Sequence, residues 1–180
     1  MHSAKGQALI ATAMLASVHS TSAQLNMTAI TASNGSSTLQ CWQFPNFTVS
    51  TTPGTQGSLE LFLGEATNIT YSAIAPRTNA GLHNAPAPQF VAFLSGIIQV
   101  SLPNRTDAGS VGWVVGGKFD IIYAEDTADL SRYGHITQYV SDESTIAIAI
   151  PVANRTGSPL GQHKVLRADG GCQTGDVVYI

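Results

Sequence analysis

His83 and Gln89 are the residues whose types and spacing first point to chemistry. They stand in the stretch 81–96, GLHNAPAPQFVAFLSG, where polar and apolar side chains alternate between a turn glycine and a closing Ser95-Gly96. In an extended strand, side chains two apart share a face, so His83, Ala85, Gln89, Val91 and Phe93 point the same way. An imidazole offers a nitrogen ligand to a metal or a proton acceptor near neutral pH; an amide oxygen is a weaker, uncharged ligand. Two such contacts on the face that carries core residues predict a barrel interior that is part packed and part pocket. Another histidine, His135 in Gly134-His135-Ile136-Thr137, lies between two further strand-like runs, Asp120 to Tyr123 and Thr145 to Val152.

The elements needed to hold these residues read as short strands. Runs with β character recur at Thr38 to Phe44, Ser58 to Leu63, Asn68 to Ala73, Gln89 to Ser95, Ile97 to Leu102 and Gly112 to Val115. Asp120 to Tyr123, His135 to Val140, Thr145 to Val152 and His163 to Leu166 complete the series. Many short strands separated by turns predict an antiparallel sandwich or barrel. Only Glu125 to Tyr133, acidic at its front and basic near its end, reads as a short helix or a surface loop. In Thr145 to Val152, Ile146, Ile148 and Ile150 share one face while Ala147 and Ala149 share the other, as expected of a strand covered on both sides.

The stretch 81–96 resembles the first conserved motif of the cupin superfamily, a glycine, a His-x-His pair, a glutamate and a closing glycine. His83 takes the first histidine position, Ala85 the second, Gln89 the glutamate position and Gly96 the last. Gly116-Gly117 and Asp120 are similar to the opening of the family's second motif, and by that resemblance His135 is its histidine, delivered from the opposite side of the barrel. The resemblance implies an all-β fold, a single cupin-like jelly-roll β-barrel, with His83, Gln89 and His135 as ligand-binding and metal-binding residues. It implies one divalent ion (Mn, Fe, Cu, Zn or Ni), held weakly because Gln89 lacks the glutamate charge. The function it implies is binding of a small organic molecule in the barrel with metal-assisted oxidoreductase or isomerase chemistry. The alternative is a non-catalytic cupin that binds carbohydrate or a protein partner. Asn84, Glu125 and His163 are further polar groups open to such a site, and pairing of two copies into a homodimer is a family expectation.

The chain has 180 residues, enough for one domain, and 43% of them are hydrophobic, enough for a core. Charged residues make up only 11%, and the net charge of −3 supplies no basic patch, which excludes nucleic acid as the expected partner. Residues 1–23 read as a secretory signal peptide: Lys5, the apolar run Ala8 to Val18, then Thr21-Ser22-Ala23 before Gln24. Residues 24–37 read as a polar, loosely ordered arm, and 38–180 as the barrel domain with its C-terminal tail. That run is too short to span a bilayer, so the chain is expected to be secreted and extracellular without a membrane span. Sequons at Asn26, Asn34, Asn46, Asn68, Asn104 and Asn154 agree, and their glycans would keep a weakly charged surface soluble. In an oxidising compartment Cys41 and Cys172 are expected to form a disulfide.

Other chemistries find little in the chain. Ser95 and Ser131 lack a nucleophile-elbow pattern, and no glycine-rich run has phosphate-cradling spacing. The neighbouring carboxylates Glu125-Asp126 and Asp142-Glu143 read as solvated loop charges. Trp42 and Trp113 are candidates for stacking on a sugar or aromatic ligand, though packing is the commoner use of tryptophan.

Overall fold

The structure, a computed structural model, describes residues 24–45, 47–117, 121–153 and 163–176. The expected signal peptide, the sequons at Asn46 and Asn154, and Asp120 lie outside the described residues. The described residues form thirteen strands, β1 (Leu25–Ser33), β2 (Ser36–Phe44), β3 (Thr48–Val49), β4 (Leu59–Glu60), β5 (Thr70–Ile74), β6 (Asn79–His83) and β7 (Gln89–Phe93), followed by β8 (Ile97–Ser101), β9 (Val111–Val115), β10 (Ile121–Ala124), β11 (His135–Tyr139), β12 (Thr145–Pro151) and β13 (Lys164–Arg167). The described residues contain no α-helix, so the chain is all-β as expected, and 125–133 forms turns rather than a helix.

A large sheet runs β13-β2-β1-β10-β7-β12-β5 and faces a small one ordered β6-β11-β8-β9; β3 and β4 form a separate ribbon. From β5 to β12 nearly every connection carries the chain from one sheet to the other. Neither sheet closes on itself. The consecutive strands β5 and β6 lie in different sheets, as do β9 and β10, and the layer of side chains between sheets (~10 Å) holds their backbones beyond hydrogen-bonding reach. Two open sheets therefore stand where a single closed barrel was expected.

The arm expected over 24–37 is instead a structural strand. β1 pairs with β2 along its whole length and lies parallel to β10 in the middle of the large sheet. The hairpin turns on Asn34-Gly35, whose φ angles of 51° and 75° match the two-residue turn that suits the right-handed twist of paired strands. Met27, Ala29 and Ile30 are buried because both faces of the sheet are covered, so few apolar residues anchor an otherwise polar strand.

Two apolar clusters lie on opposite sides of that sheet. Between the sheets sit Ile30, Leu39, Phe93, Ile98, Val100 and Ile122; on the far side sit Met27, Trp42, Phe44, Phe90 and Tyr123. β12 shows how the interior gains space. Its alanines, Ala147 and Ala149, face the inter-sheet layer, while Ile146, Ile148 and Ile150 lie half-buried on the outer side. Cys41 on β2 joins Cys172 beyond β13, with Cα atoms 4.5 Å apart across 131 residues of sequence. Closing so long a loop is worth roughly 4–5 kcal/mol in the chain-entropy account.

Candidate functional site

A cavity of about 160 Å³ lies between the sheets, and His83, Gln89 and His135 all line it. Their route there differs from a continuous strand. β6 ends at His83 in the small sheet and β7 begins at Gln89 in the large one, so the chain crosses the sandwich between them. Gln89, Val91 and Phe93 then face the cavity from the sheet opposite His83. His83 and His135 are cross-strand partners on β6 and β11, with ring centroids 4.5 Å apart and planes tilted by 60°. Gly134 permits this approach: at φ 66° it sits so close to β6 that a Cβ would lie 2.2 Å from the His83 carbonyl oxygen.

The proton positions on both rings follow from their partners. His83 Nδ1 lies 2.9 Å from the Gly81 carbonyl oxygen, which can only accept, so Nδ1 carries the hydrogen. His135 Nδ1 donates to Asp126 Oδ2 at 2.8 Å. Each ring thus has its Nδ1 engaged, which leaves Nε2 as its remaining polar atom. A hydrogen bond at Nδ1 fixes a histidine's tautomer and the orientation of its ring. Burial pushes the Tyr139 phenol of the same cavity above its ordinary value, so it remains a donor.

Asp126 was not among the residues singled out from the sequence, and it holds the site together. It is 0% exposed, although an acidic pair in a loop was expected to be solvated. Its other contacts run in one direction. Gly134 N–H donates to Ser131 Oγ at 3.0 Å, Ser131 Oγ lies 2.8 Å from Ser37 Oγ, and Ser37 donates to Asp126 Oδ2 at 2.6 Å. Because the Ser37 proton goes to the carboxyl, Ser131 must supply the bond between the two hydroxyls. The Asn84 amide ties the loop down through the Asp126 and Ser131 carbonyls, both at 2.9 Å. Within the stretch 125–133, Asp126, Thr127 and Ser131 are therefore buried polar anchors with hydrogen-bond partners inside the protein, while 128–130, 132 and 133 are exposed. Ser37 and Ser131 sit on the carboxyl side of the Asp126–His135 couple, away from Nε2, so a serine nucleophile is not part of it.

The donor set has two imidazole nitrogens and one neutral amide oxygen. Among the described residues no third His, Cys, Asp or Glu brings a ligand atom to the two histidines. Asp126, the one nearby carboxyl, is engaged by His135, Ser37 and the Ala85 N–H. A resident divalent ion therefore fits these residues poorly, having no compensating charge. Cys41, Cys172 and Asp176 do bring ligand-type atoms within 4.8 Å of one another, but the sulfurs are bonded to each other and supply no thiolate.

The remaining candidates fall elsewhere. Glu125 does not line the cavity, and burial pushes its carboxyl up despite a hydrogen bond with Tyr123. His163 stacks on Trp42 on the far side of the large sheet. Asn34, Asn68 and Asn104 are exposed, as sequons must be, whereas Asn26 is half-buried and its amide donates to the Asp176 carbonyl, a poor site for a glycan. Asp142 is a solvated loop charge paired with Arg77. No helix among the described residues is long and apolar enough to cross a membrane. No protein-family model matches the chain, and no curated protein matches it.

Proposed function

We propose that the cavity between the sheets binds a small protic organic molecule, with His135, backed by Asp126, placed to accept a proton from it. One observation carries this reading: two neighbouring imidazoles line one cavity with both Nδ1 atoms engaged elsewhere. A pair of nitrogen acceptors beside the Tyr139 donor suits a ligand carrying adjacent hydroxyl or carbonyl groups, and a volume of about 160 Å³ admits only a compact one. The strand order supports a cupin-like setting. β10-β7-β12-β5 opposite β6-β11-β8-β9, with connections that alternate between sheets, is the connectivity of a double-sheet jelly roll extended at one edge by β1, β2 and β13. Isomerase-type proton transfer is the chemistry such a couple serves. The intramolecular disulfide and exposed sequons are compatible with a secreted glycoprotein.

A purely binding role is the second reading. It is favoured by the absence of a carboxylate among the residues lining the cavity, which leaves the two imidazoles as the proton acceptors there. Ligand-observed NMR with a library of small hydroxy and keto compounds tests the site itself. Hits should be lost in His135→Gln and in Ala149→Leu. Hits that persist in both variants would place binding elsewhere. Solvent-proton exchange into a bound hit, present in the wild type and absent in His135→Gln, separates turnover from binding.

A further inference from the structure

We propose that the outer face of the small sheet is a platform for an uncharged oligosaccharide, independent of the cavity. One row of register-paired residues crosses the sheet there. Trp113 on β9 lies opposite Gln99 on β8, Gln99 lies opposite Gln138 on β11, and Asn79 on β6 adjoins Gln138. At an inter-strand spacing of about 4.8 Å the row is roughly 14 Å long, enough for a short run of sugar rings. Trp113 is 54% exposed. No hydrogen bond among the described residues engages the Gln99 or Gln138 carboxamide. The flanking outward positions are mostly apolar, with Ile136 and Leu82 on one side and Ile97 and Val115 on the other.

The chemistry of the row selects the ligand. A pyranose has C–H faces that stack on an indole and a rim of hydroxyls that both donate and accept, as carboxamides do. None of the outward residues on the four strands is Asp, Glu, Lys or Arg, so a charged ligand meets no counter-charge. A second copy of the chain would match the apolar flanks but leave two free amides buried against itself, which is costly unless each finds a partner. Trp113 also forms one wall of an open groove of about 470 Å³, whose other wall carries Arg167, Asp169 and Gln173. A chain of rings starting on the platform can continue into that groove.

The test is calorimetric titration of enzymatically deglycosylated, disulfide-intact protein with neutral hexasaccharides of β-linked glucose, xylose, mannose and N-acetylglucosamine. At least one should bind saturably and perturb the fluorescence of Trp113, since Trp42 is buried. Trp113→Ala should weaken that binding about tenfold or more, and Gln99→Ala and Gln138→Ala each several-fold, with melting temperatures retained. Trp113→Phe should keep part of the affinity, and His135→Gln all of it. Binding that emerges only after deglycosylation supports the platform and makes the chain's own glycan its competitor. No saturable binding to any of the four sugars overturns the proposal, as does affinity unchanged in Trp113→Ala. A sedimenting dimer that dissociates in Trp113→Ala also overturns it, because a second copy then covers the face.

Discussion

The two sides of the large sheet treat histidine in opposite ways. On the inner side His135 is 4% exposed, hydrogen-bonded to a carboxyl that is itself held by a serine relay, and it borders the cavity. On the outer side His163 lies flat on Trp42, with centroids 3.9 Å apart and planes within 18°, and its buried Nδ1 has no hydrogen-bond partner among the described residues. Burial alone pushes the His163 imidazole below its ordinary value. One ring is oriented by a polar partner towards space, which is how a protein presents a histidine for use. The other is a flat, mostly neutral filler among aromatics. His135 is the deeper of the two, His163 being half-buried, and what touches Nδ1 decides how each ring can be used.

That contrast can be broken experimentally, and the largest effect should come from Asp126→Ala. It leaves the His135 Nδ1, the Ser37 hydroxyl and the Ala85 N–H buried without their partner. A loss of about 3–5 kcal/mol in urea unfolding is expected, together with loss of cavity ligands. A cost under 1 kcal/mol would show that the network is solvated and the contrast false. Next in size is Ala149→Leu. Filling the cavity should change stability by about 1–3 kcal/mol at most, yet abolish ligand binding, whereas retained binding would place the ligand outside. The smallest effect is a pH slope. His163 takes up a proton less readily folded than unfolded, so its contribution is constant above the unfolded pKa and stability falls as pH drops through that value. Between pH 7.5 and pH 5, His163→Phe should flatten the melting-temperature profile of the wild type, while ligand affinity at pH 7.5 stays unchanged. An unaltered slope would assign the pH dependence to another group.

Part of the site was legible from residue spacing. His83, Gln89, Val91 and Phe93 do converge on one space, because alternation on a strand survives even when the strand breaks and its halves enter facing sheets. The alanine side of the Ile146 to Ile150 run was legible too, though its small residues turn out to make room and its large ones lie half-buried outside. Asp126 was not legible. Nothing in Glu125-Asp126 distinguishes a solvated pair from a buried anchor, because the partners that make burial affordable, Ser37 and His135, are 89 and 9 residues away. β1 was missed because its polarity resembles an arm; the Asn34-Gly35 turn was the local signal for its hairpin.

By itself the sequence determined the all-β character, the positions of most strands, the disulfide pair and which side chains share a strand face. These depend on alternation, turn residues and cysteine count, all properties of neighbours along the chain. The tertiary structure decided that the sheets stay open, that Asp126 and Ser131 of a polar loop are buried, and that His135 is oriented while His163 is stacked. Those outcomes turn on hydrogen bonds and contacts between residues far apart in sequence, whose partners only the packing of the two sheets selects.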